Sequence, residues 1–185
     1  MKLSAVVPLL AVAASLVATP ATAQTFVQDH GEKLYRRSMY TYWKRSSPPA
    51  NMAIFDAPNR EVCTIDRPAT TTPLQTLVLM NDPQFVEAAR VFAERILARP
   101  GSDAVRLRWA MQEALTRDPS AQELAIMAVT LKRERSRYAA HRSDAEKFLR
   151  VGESPRNARL DVVEHAAWGQ VASLVLNLSE FVTRN

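Results

Sequence analysis

Glycine is scarce in this chain, with only 4 in 185 residues. That scarcity argues against a glycine-rich phosphate loop and against a barrel built on many tight turns. There is 1 cysteine, Cys63, so no internal disulfide can form. No C-x-x-C-H run is present, so no c-type haem is attached here. As a lone cysteine, Cys63 is expected to be buried, where a free thiol behaves as a small hydrophobe. The histidines are His30, His141 and His165, and none stands at i, i+4 from another. The patterns H-E-x-x-H, G-x-S-x-G and the P-loop are likewise missing. No metal site, no cofactor and no defined catalytic residue is therefore expected, and the chain reads as a non-enzyme. Long apolar runs are wanting after residue 23. The most apolar later stretch, VVEHAAWGQVASLVLNL, carries Glu164 and His165 and reads as a buried helix rather than a membrane span.

What the chain does have begins at its first residues. Lys2 precedes the apolar LSAVVPLLAVAASLVA, and ATA at 21–23 supplies small residues at a cleavage pattern. Residues 1–23 are read as a signal peptide and Gln24 as the mature N-terminus. The protein is thus expected to be exported, to the periplasm, the cell surface or beyond, with no stable membrane span after cleavage. Apolar residues at 47% and charged residues at 23% match an ordinary folded domain, which excludes disorder for most of the chain. The net charge of +5 would suggest nucleic acid for a cytoplasmic protein. Export removes that partner and leaves a protein partner or an anionic polysaccharide.

The organisation follows from punctuation. Residues 36–45, RRSMYTYWKR, are rich in Tyr, Trp and Thr and read as a short strand or extended segment. Prolines at 48, 49, 58, 68 and 73 then exclude a continuous helix and predict a long ordered loop. From Thr72-Pro73 the pattern turns helical. Thr72 with Gln75 and Ser120 with Glu123 form capping boxes, and Asp82-Pro83 restarts a helix. Ser143 with Glu146 looks like a third box. LQTLVLM, apolar nearly all round, is expected to be buried. The 162–178 helix is apolar on every side and is expected to sit at the centre of the others. The expected fold is all-α: about six helices in one bundle-like domain over 24–185. An extended arm and Pro-rich loop cover 24–71, and the helices cover 72–185.

Two patches could carry binding. Tyr42 and Trp43, with their basic neighbours, could stack on a sugar face. Asp56, Arg60 and Glu61 lie in the densest polar stretch of the loop and could form a carboxylate site. The alternative is structural, with the rings packed and the charges pinning the loop. Adjacent Glu164 and His165 point different ways and do not make a paired site.

These same stretches carry a resemblance. RRSMY, FDAPNRE, TTTPLQ and LMNDPQFVEAAR occur in order, and AAWGQVASLVLNLSEFVTR follows near the end. Over about residues 34–185 the chain resembles the C-terminal portion of the planctomycete-type domain of unknown function 1553, the PSD1 C-terminal domain. The resemblance implies an exported protein of a kind that usually also carries a cytochrome c-like module, with ties to cell-surface or polysaccharide metabolism. It carries over no catalytic residues. The cytochrome module's haem-binding cysteines are missing here, which leaves open a short stand-alone form or an internally deleted one. Where the absent part normally covers the helices, an exposed apolar patch in search of a partner is expected. The leading reading is therefore an exported interaction or scaffold module. The alternative is a polysaccharide-binding or polysaccharide-processing accessory domain.

Overall fold

The computed structural model describes residues 27–44, 47–59, 61–66 and 70–183. The expected signal peptide and Arg60 lie outside the described residues. Within them the chain opens with two 3-10 turns, Gly31–Tyr35 and Ser38–Tyr40. Helices α1 (Ala50–Ile54), α2 (Pro73–Asn81), α3 (Pro83–Leu97) and α4 (Asp103–Leu115) follow. Then come α5 (Ala121–Ala140), α6 (Arg142–Leu149), α7 (Val162–Leu176) and α8 (Ser179–Val182). The fold is all-α and bundle-like. Among the described residues there is no strand, only a single bridge between Lys44 and Ser47. The strand reading of 36–45 is therefore corrected: Ser38–Tyr40 wind into a 3-10 turn between the extended residues Arg36 and Thr41, and no neighbouring strand among the described residues offers their backbone a ladder. The loop also holds one helical turn, α1, which starts just after Pro49 and ends before Asp56, whose φ is 57°.

Local chemistry sets the helix starts. Gln75 N–H donates to Thr72 Oγ1 at 3.3 Å, and Thr72 N–H donates to Gln75 Oε1 at 3.1 Å. The same reciprocal pair joins Ser120 and Glu123. Asp82 accepts from Gln84 N–H at 2.9 Å, and Asp161 accepts from the N–H groups of Val163 and Glu164. These side-chain acceptors satisfy first-turn donors that have no partner within the helix. The third box does not form. The α6 helix starts after His141, whose carbonyl accepts from Asp144 N–H at 3.0 Å, so Ser143 already lies inside the helix.

The core gathers on α7, which packs chiefly against α3 and α5 and then α6. Trp168, Ala166, Ala167, Val171 and Ala172 are fully enclosed. From α3 come Ala89, Ala93 and Ile96, and from α5 Leu131 and Tyr138. Gly169 lets α6 approach: a Cβ there would lie 2.6 Å from Phe148 Cε1. The expectation for α7 thus holds, but the one for α2 does not. Only Gln75 of α2 is buried, while Leu74, Leu77 and Met80 are each more than half exposed. Neighbours cover α2 only on the sides that meet α3, α1 and α7. Cys63 is also exposed, contrary to expectation, because no described element packs over its loop.

Candidate functional site

An open groove of about 1150 Å³ runs between α2 and α3 on one side and α4, the end of α7 and α8 on the other. Phe85, Ala88 and Phe92 come from one face of α3, placed there by their i, i+3, i+7 spacing. Leu79 of α2, Leu176 of α7 and Phe181 of α8 complete its apolar lining. Phe55 meets Phe85 edge-on, with centroids 6.0 Å apart. The polar groups on its walls are largely engaged. Arg95 pairs with Glu113 across α3 and α4. Asp56 accepts from Thr70 N–H at 2.9 Å and Thr70 Oγ1 at 2.7 Å, while Gln75 Nε2 donates to Ile54 O at 2.9 Å.

Beside the groove lies a closed polar node. Glu87, on α3, is buried and accepts from the backbone N–H groups of Glu153 at 2.6 Å and Ser154 at 2.9 Å. Arg90, wholly enclosed, donates to Ser154 O at 2.6 Å and to Glu94 Oε1 at 3.4 Å. Glu94 also accepts from Asn157 N–H at 3.2 Å. The node therefore staples the loop between α6 and α7 onto α3, giving Glu87 two backbone donors and Arg90 two acceptors, although Nε of Arg90 has no hydrogen-bond partner. Tyr35 joins it from the N-terminal arm, its phenol pushed up to about 12 by burial and then by its hydrogen bond to Glu87. His165 is enclosed, and its Nε2 lies 3.1 Å from Arg90 O. A carbonyl can only accept, so Nε2 carries the proton, and burial lowers the ring's pKa.

The arm is tied down at its base. Glu153 binds His30 Nδ1 at 2.5 Å and Gly31 N–H at 2.7 Å, and Gln84 Nε2 donates to Leu34 O at 2.9 Å. Tyr35 then forms part of the groove wall.

The structure does not bring the sequence-derived candidates to one place. Asp56 lines the groove. Glu61 is exposed in a short turn, where its N–H donates to Asn59 Oδ1 at 3.0 Å. Tyr42 is 80% exposed and Trp43 half-buried, and neither lines the groove. Arg60 lies outside the described residues. Glu164 binds Arg135 while its neighbour His165 turns to Arg90, so the two point apart as expected. What sequence reasoning missed is the triplet Glu87, Arg90 and Glu94. A signal existed: charges at i, i+3 and i+7 run alongside the apolar stripe of α3, a spacing that aligns them on one helix face. Among the described residues, no group of three or more His, Cys, Asp or Glu could hold a metal ion, and no helix is long and apolar enough to cross a membrane.

Compared with known proteins, the chain matches one family model, PSD1, "Protein of unknown function (DUF1553)", over residues 5–131. The match begins inside the segment expected to be a signal peptide, runs through the arm, the loop and α1–α4 and ends within α5, so the resemblance read at the closing helix lies outside it. No curated protein and no solved structure matches the chain.

Proposed function

We propose a function from the premise that the chain belongs to the PSD1 family of proteins of unknown function (DUF1553): it is an exported, non-catalytic helical module whose exposed α2 face, with the groove beside it, receives an apolar helical segment of a protein partner. One observation carries this reading. Helix α2 has no charged residue, exposes Leu74, Leu77 and Met80 outward, and lends Leu79 to the groove beside it. A surface helix without a polar face is a binding face, because water gains nothing from contact with it. The groove is apolar along Ala88, Phe92 and Leu176, the lining that the apolar face of an amphipathic helix fits. Donors on its walls such as Gln75, Gln84 and Arg95 are already engaged within the protein, which leaves a sugar to compete for them. Hydrolysis would need two carboxylates facing each other across the cleft. The two that line this groove, Asp56 and Glu113, are bound to Thr70 and Arg95.

The test places a photo-cross-linker at Leu74 of the chain in its native envelope, with Lys132 on α5 as a control position. The expected result is an adduct at Leu74 alone, mapped to an apolar helical segment of a protein. A synthetic peptide of that segment should bind the wild-type chain and bind Leu77→Glu at least tenfold more weakly. Leu77 is exposed, so that variant folds. Equal labelling at both positions, or adducts to glycan only, would overturn the proposal. Export is read from the same material: a periplasmic or surface chain beginning at Gln24 supports it, and a cytoplasmic chain beginning at Met1 contradicts it.

A further inference from the structure

A second surface lies away from the groove floor, on the arm. Residues 31–44 carry four cations, Lys33, Arg36, Arg37 and Lys44, against one acid, Glu32. Several arginines of the helical body are paired. Arg95 pairs with Glu113, Arg117 with Glu123 and Glu180, and Arg135 with Asp103 and Glu164. Among the described residues, Arg36 and Arg37 have no such carboxylate, and both are exposed. Beside them in sequence, Met39, Tyr40 and Tyr42 stand 71%, 67% and 80% exposed. Exposed rings next to unpaired guanidinium groups form a surface that suits an anionic ligand with flat apolar faces. The arm is not a loose tail, since Glu153 and Gln84 hold its base at Gly31 and Leu34. The patch is therefore presented from a fixed place.

We infer that this arm surface binds an acidic polysaccharide: Arg36 and Arg37 take the carboxylate or sulfate groups, and Tyr40 and Tyr42 lie against the sugar faces. Guanidinium matches a carboxylate or sulfate with two parallel hydrogen bonds. A tyrosine offers an apolar ring face and a hydroxyl in one side chain, as a sugar requires. An anionic bilayer fits less well. Surface insertion uses a long amphipathic helix with an apolar face. The arm's helical turns are 5 and 3 residues long and bury nothing.

The test measures binding of the mature chain to polygalacturonate, to a sulfated glycan, to neutral dextran and to phosphatidylglycerol vesicles, across a salt series. Polygalacturonate or the sulfated glycan should bind and dextran should not. Arg36→Gln with Arg37→Gln should weaken binding at least tenfold and flatten its salt dependence. Tyr40→Ser with Tyr42→Ser should weaken it several-fold at every salt concentration. Leu77→Glu, which disrupts the apolar face of α2, should leave it unchanged, so the two surfaces succeed or fail separately. All of these side chains are exposed, so the variants fold. No binding to either acidic polymer, binding indifferent to the arm variants, or arm-dependent binding to vesicles alone would each overturn the inference.

Discussion

A Cβ placed on Gly152 would lie 2.2 Å from Oε2 of Glu87, and Gly152 holds φ at +96°. The loop between α6 and α7 can bring two backbone N–H groups onto the buried carboxylate only because this residue has no side chain. Gly152→Ala therefore meets both a backbone penalty and a clash. The expected cost is about 1–3 kcal/mol, read as a lower denaturation midpoint in urea. An unchanged midpoint would mean that the loop closes on α3 in another way.

Glu87→Gln keeps the size of the side chain but turns an NH2 toward one of the two N–H donors. The expected loss is about 1–3 kcal/mol, the cost of a buried donor left unmade. Tyr35 reports the same change. Its phenol, pushed up to about 12, should titrate closer to 10 once the Glu87 charge and hydrogen bond are gone. It should not reach 10, because burial is the larger cause. Tyrosinate absorbance, with Tyr35→Phe identifying the signal, checks this.

The arm's attachment should depend on pH. The hydrogen bond and charge of Glu153 raise His30 above its ordinary 6.5, while His30 and the Gly31 N–H hold Glu153 below 4.5. The His30 contribution is complete below 6.5 and fades as pH rises through the raised value. The Glu153 contribution is complete above 4.5 and fades as pH falls through the lowered one. Protection of Gly31–Tyr35 from hydrogen exchange should therefore peak between these limits. His30→Ala should abolish the decline on the alkaline side; identical profiles for both proteins would rule the latch out.

Two tryptophans separate the core from the arm. Trp168 is wholly enclosed on α7, so Trp168→Ala should cost about 3–5 kcal/mol. Trp43 is half-buried, and Trp43→Ala should cost less than half as much. Thermal melts of the two variants give the comparison, and equal losses would place Trp43 in the core after all.

How legible the molecule was in its sequence varied by element. The caps at Thr72, Asp82 and Ser120 were readable, and so was the central place of α7, which is apolar around most of its surface. Helix α2 misled because LQTLVLM shows only that its side chains are apolar. The RRSMYTYWKR stretch misled because ring-rich composition favours a strand only where a neighbouring strand exists. The groove was invisible, since its wall joins Phe55, Phe85 and Phe181 from distant parts of the chain.

Where α2, α3, α5 and α7 start was decided by the sequence alone, because a capping oxygen and a proline act within three residues of themselves. The tertiary structure decided which apolar faces are covered and which charges are enclosed. Glu87 becomes a loop anchor only when Ser154, 67 residues further on, is brought to it. Burial is a property of what arrives from elsewhere, and no local pattern can state it.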